Sequence, residues 1–241
     1  MIVKNQILRI FNLLVLCAVM ASPAFAQNLI INGGFESNGG GAIYSTDYER
    51  TWGGVVEAGH YAVDYNAATY GGGIGWPEPS GSSGRFMMVN GFGGSINPTK
   101  VVWSSYHPDH QYITVVPNAT YTFSCRVVNL NRLVQGQINP AKLQLKINDV
   151  EVGPVNQLPT HNNWYTWTVE WNSGNATEAV IKIVDKYVGN SDIGDDYALD
   201  DMSFVANEVY SVNAVNDTWP LACLWTPTVI PVLDNDIFSP N

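Results

Sequence analysis

Apolar and polar residues alternate along much of this chain in short runs, and the period is two. Leu143, Leu145 and Ile147 alternate with Gln144 and Lys146, and Tyr165, Trp167, Val169 and Trp171 alternate with Thr166, Thr168 and Glu170. A period of two sends successive side chains to opposite faces of a strand, so each run reads as a strand with one buried face. Further strands are expected at 28–31, 85–89, 100–106, 112–116, 119–128, 179–184 and 197–205, with turn signals at Pro117-Asn118 and Asn172–Asn175. No convincing helix separates them, and the pattern predicts an all-β, antiparallel β-sandwich. Trp167 and Trp171 share a face with Val169 and are expected in the core. Cys125 sits among alternating apolar residues and is expected there too, as a small hydrophobe.

Three stretches break the pattern. Lys4 and Arg9 precede an apolar run from Ile10 to Met20, and Ser22–Ala26 then supplies small residues in an A-x-A arrangement. Residues 1–26 are expected to be a secretory signal peptide cleaved before Gln27. The run is too short for a spanning helix of ~20 apolar residues, and Leu16 beside Cys17 is too large for a lipoprotein signal. Residues 32–84 carry Gly39–Gly41, Gly71–Gly73 and Gly81–Gly84 among Trp52, Trp76 and several tyrosines. They are expected either to form binding loops or to plug one end of the sandwich. Residues 207–241 are expected to be a linker and the truncated start of a following β-sandwich module, since about 35 residues cannot build a core alone. The domain between, 27–206, is the sandwich.

Composition narrows the function. Eleven Lys and Arg stand against 21 Asp and Glu, a formal charge of −10. So acidic a chain lacks the basic clusters that neutralise phosphates, which excludes a nucleic-acid binder. With 46% hydrophobic and 13% charged residues it is not a disordered polyelectrolyte, and three cysteines cannot make a disulfide framework. There is no G-x-S-x-G or H-E-x-x-H run. The turn His107–His110 makes a poor transition-metal site, because two or three ligands so close in sequence strain the geometry. Three sequons, at Asn118, Asn175 and Asn216, are weak signals.

Two features carry chemistry. The opening run Asn28–Glu36 ends in a Gly33-Gly34 turn followed by a carboxylate, and the closing run Tyr197–Phe204 contains Asp200-Asp201. First and last strands of a sandwich are often neighbours, so Glu36 could meet Asp200 or Asp201. Carboxylates that close need a cation, and in an exported protein a hard one would be Ca2+, with Gly33 and Gly34 leaving carbonyls accessible. Two solvated carboxylate turns are the alternative. The second feature is the supply of aromatic rings outside the regular strands: Trp52, Tyr61, Tyr65, Trp76, Trp103 and Tyr106. Flat apolar rings can pack against the C–H faces of sugars, with Asn66, Asn90, Asp109 and Gln111 as hydroxyl partners. Each ring has a structural alternative.

The two end motifs, with the Trp-rich strand between them, resemble the galactose-binding-like jelly rolls, and most closely carbohydrate-binding modules of families 4, 9 and 22. Phe86–Gly91, Val101–Trp103, Pro117–Phe123, Pro140–Ile147 and Trp171–Gly174 are similar to a bacterial cell-surface, adhesin-type variant of that fold. The resemblance covers about 28–206, and the tail looks like the start of an immunoglobulin-like (cadherin-like) repeat. It implies a jelly roll with a structural Ca2+ held by the Gly34 carbonyl, Glu36, Ser83, the Phe86 carbonyl and Asp200, away from the sugar site. It further implies a non-catalytic, secreted, cell-surface module whose partner is a polysaccharide or other glycan, with further domains beyond it. A spacer or protein-interaction domain is the alternative. A domain of a glycoside hydrolase is a weaker one, because such an enzyme needs two carboxylates facing each other across a sugar.

Overall fold

The structure, a computed structural model, describes residues 27–37, 44–52, 54, 57–70, 84–91, 100–108, 112–130, 140–160, 162–186, 195–207, 210–213 and 237–240. Residues 1–26, expected to be a signal peptide, and Trp76, Ser83, Asp109, His110, Gln111 and Cys223 lie outside them. The chain divides into two units, one spanning Asn28–Glu208 and the other combining Met1–Gln27 with Val209–Asn241. In the second unit, β13 (Tyr210–Asn213) pairs antiparallel with β14 (Ile237–Pro240).

Unit 28–208 is a β-sandwich. Its larger sheet has six strands in the order β1 (Glu49–Arg50), β2 (His60–Asp64), β3 (Phe86–Val89), β12 (Tyr197–Ala206), β6 (Thr120–Asn129) and β9 (Tyr165–Asn172). All pairs in it are antiparallel except the short parallel pairing of β1 with β2. The smaller sheet runs β4 (Val101–Ser104), β11 (Ile181–Asp185), β7 (Lys142–Ile147) and β8 (Val150–Gln157), all antiparallel. A separate pair joins β5 (Ile113–Thr114) to β10 (Glu178–Ala179). The one described helix, α1 (Ala67–Tyr70), is a single turn capped by Asn66, whose Oδ1 accepts from the Thr69 amide.

The period-two reading accounts for the central strands. On β6, Tyr121, Phe123, Cys125 and Val127 are buried and the residues between them are half-exposed. Trp167 is buried edge-on to Phe123, and Trp171 packs with Tyr121 and Phe204. Cys125 is a buried free thiol whose pKa burial pushes far up, so it packs as an apolar group. The opposite face of β3 and β12 is also dry: Phe86, Met88, Ala198, Val128 and Leu130 pack with Ala62 and Ala67 under Tyr70 and Trp164. A polar contact ties the 44–48 segment to the smaller sheet, where the Tyr48 hydroxyl donates to Asp185 Oδ2 at 3.0 Å.

Two strands escape the alternation. The edge strand β8 is mostly exposed and contains Gly153, at φ +69, and Pro154. Only an edge position tolerates that pair. Strand β2 lies inside the Gly- and Tyr-rich stretch. There Tyr44, Tyr48 and Tyr61 are buried, and Tyr44 sits edge-on to both Phe35 and Tyr61. These three rings are buried and not presented as a binding surface. Asn28–Ile31 is not a strand but a tether along β12. Leu29 N donates to Phe204 O, Asn28 Nδ2 donates to Met202 O, and Asn28 Oδ1 accepts from Phe204 N.

Candidate functional site: a carboxylate corner and an aromatic groove

The tether delivers the Gly33–Glu36 corner to the bulge in β12. Met202 N donates to Gly33 O at 3.0 Å, and a Cβ on Gly33 would stand 2.0 Å from Met202 O, so the contact requires glycine. Asn32, Phe35 and Asp201 all hold positive φ, at 55°, 57° and 47°. For a buried phenylalanine that is a strained backbone held by its surroundings. The Asn32 carbonyl accepts from Phe35 N and its side chain from Ser37 N, closing the turn.

Around this corner the carboxylates gather. Glu36 Oε1 accepts from Arg85 N at 2.7 Å, and a Cβ on Gly84 would overlap that oxygen, so Glu36 lies flat against the entry to β3. A Cβ on Gly34 would touch Asp201 Oδ1 at 3.4 Å and lie 3.9 Å from both Asp200 Oδ1 and Glu36 Cγ. Asp201 is partly exposed and faces Arg126 at 3.5 Å, and Arg126 in turn lies over Trp164. Asp200 is only 4% exposed. Burial first, then the charges of Asp201 and Glu36, push its pKa up to about 7, against the lowering influence of the Asp201 amide and Arg126. Among the described residues no group of three or more His, Cys, Asp or Glu side chains is placed to hold a metal ion. A cation here would rest on two carboxylates with backbone carbonyls. Of the expected donors, Gly34, Glu36 and Asp200 converge, and Phe86 follows the Arg85 amide that binds Glu36.

The expected sugar-binding rings scatter. Trp103 is 2% exposed and Tyr61 is buried, so neither offers a ring face, and the expectation for both is corrected to a core role. Among the expected hydroxyl partners, Asn90 is buried and Asn66 caps α1. Trp52 is 71% exposed with the Arg50 guanidinium 4.0 Å from its ring centre, and Tyr65 is exposed beneath Arg85. Tyr106 stands elsewhere, in an open groove of about 550 Å3 at the β4 side of the smaller sheet. Its ring meets Tyr112 edge-on at 6.2 Å, and Tyr112 is 56% exposed.

Polar groups complete that groove. Asp47 Oδ2 accepts from Val101 N, which fixes the carboxylate at one wall. Opposite lies the Asn148-Asp149 turn between β7 and β8, both residues at positive φ (52° and 65°), as a two-residue hairpin of this hand requires. The Asn148 side chain accepts from Val180 N and donates to Glu178 O, pinning the turn to the junction of β10 and β11. Asp149 then meets Lys182 at 2.6 Å. Sequence reasoning missed Tyr112, Asp47, Asp149 and Lys182 as site residues. An Asn-Asp pair between two apolar runs was the available signal for the turn.

No protein-family model matches the chain, and no curated protein sequence does. Solved structures similar to it include carbohydrate-binding modules, a sugar-binding domain, an enzymatically active bacteriophage tailspike domain and an α-L-arabinofuranosidase. One is the CBM22-1 xylan-binding domain of Xyn10C from Paenibacillus barcinonensis, at 14% identity and TM-score 0.39 over 77% of this chain and 97% of that one. A CBM4 structure has 15% identity and TM-score 0.39 over 74% and 99% of the two chains. The C-terminal domain of EclA, a sugar-binding protein, has 13% identity and TM-score 0.39 over 58% and 88%. Likeness at this level says nothing of ligand or activity.

Proposed function

We propose that unit 28–208 is a non-catalytic carbohydrate-binding module of an exported protein, and that the glycan lies in the Tyr106–Tyr112 groove. The observation that carries this reading is the groove's make-up: two tyrosine rings for the apolar faces of a sugar, set between Asp47, Asn148, Asp149 and Lys182 as hydroxyl partners. The exported, cell-surface setting rests on the signal-like residues 1–26, and an adhesive role in a longer chain on the resemblance of residues 28–206 and of the tail. Among the described residues no helix is long and apolar enough to cross a membrane.

A structural Ca2+ at the carboxylate corner belongs to the same proposal. Glu36 and Asp200 would hold it with the Gly34 and Phe86 carbonyls; Ser83, the fifth donor of the expected set, lies outside the described residues. The ion would offset the charge of buried Asp200 and exposed Glu36 and fasten the opening corner to β12, a folding role.

The test is retention on a panel of insoluble and soluble polysaccharides in the presence of Ca2+. Binding to at least one glycan is expected, with Tyr112→Ala weakening it about tenfold or more at unchanged melting temperature. That figure corresponds to losing one stacked ring. Retention by none of the glycans would sink the reading in favour of a spacer domain, which the burial of Trp103 and Tyr61 also suits.

A further inference from the structure

Tyr112 is a shared wall. On one side is the polar groove. On the other is a second cavity of about 260 Å3, whose lining includes Leu29, Ile31, Trp103, Ser105, Ile113 and Thr114. The two differ in chemistry: the groove carries two carboxylates and an ammonium, while the adjoining slot has no charged residue among the described residues of its lining. Ile31, 55% exposed, stands at this slot although a lone isoleucine on a turn gains nothing from water. Cavities of about 150 Å3 with aliphatic and aromatic walls take a benzene-sized group, so this volume suffices for one aromatic ring.

We infer that the site is bipartite and takes a glycan carrying an aryl substituent, with the sugar in the groove and the aryl ring in the slot beyond Tyr112. This deepens the carbohydrate-binding reading and rests on it. Tyr112 would touch both halves of the ligand, and its exposed ring is set edge-on to Tyr106.

The experiment is an NMR titration of the full chain with matched methyl and phenyl glycosides of xylose, glucose, galactose and mannose, alongside the polysaccharide panel. For the sugar that binds, the phenyl glycoside should bind roughly tenfold more tightly, from burial of the ring. Ile31→Ser should erase that preference and leave methyl-glycoside affinity unchanged. Thr114→Phe, which fills the slot from a different strand, should do the same and guards against a folding artefact in either variant. Equal affinity for the two glycosides, or a phenyl preference that survives both substitutions, overturns the inference while leaving the glycan reading standing. Binding of no glycoside and no polysaccharide overturns both.

Discussion

At the scale of single residues, Asp200 shows how a position acquires chemistry from its surroundings. In the sequence it is one half of an Asp-Asp pair whose two members only the family resemblance told apart. The bulge in β12 separates them: Asp201, at φ 47°, turns out to Arg126, and Asp200 stays buried beside Glu36. A carboxyl with a pKa near 7 in the folded state and about 3.9 unfolded binds its proton more tightly when folded. In chelator, its contribution to stability is therefore present below about pH 4, is lost as pH rises toward 7, and is flat above. Denaturant melts from pH 4 to 8 in EDTA, compared with Asp200→Asn, isolate this term. The variant should gain on the parent protein as pH rises, and a gap that narrows instead would contradict the assignment.

At the scale of elements, the β7–β8 hairpin decides the shape of the groove. Asn148 holds a left-handed backbone and two side-chain hydrogen bonds, so its replacements separate the two contributions. Asn148→Gly relieves the backbone and loses the bonds. Asn148→Ala loses both and should be the less stable by about 1–2 kcal/mol, measured by equilibrium unfolding. Both should weaken glycan binding, because Asp149 and Lys182 lose their fixed turn. Strands β6, β7 and β9 were legible from sequence because apolar residues recur at every second position along each and are buried or half-buried there. Strand β8 was not, since an edge strand with Gly153 and Pro154 has no buried face to impose a period. Strand β2 was hidden among glycines and tyrosines whose burial depends on Phe35 and on one another.

At the scale of the whole molecule, the chain ends of the domain are the feature to perturb. Ca2+ that binds only the folded state should raise its stability with concentration, by about 2.7 kcal/mol at a hundred times Kd. For a domain of this size that is roughly 5–10 °C in melting temperature. Calorimetry with and without EDTA measures it, and Glu36→Ala should abolish the response. An unchanged melt in chelator would remove the metal from the proposal. The strand-rich class and the aromatic core of β6 and β9 could be read before any coordinates, because these follow from local periodicity and composition. Tertiary structure alone decided which rings face water. Trp103 and Tyr61 went to the core while Tyr112 and Trp52 stayed outside, and Asp47, Asp149 and Lys182 came together from three separate segments. Exposure and convergence depend on which strands pair and which sheet covers which face, and no local pattern carries that information.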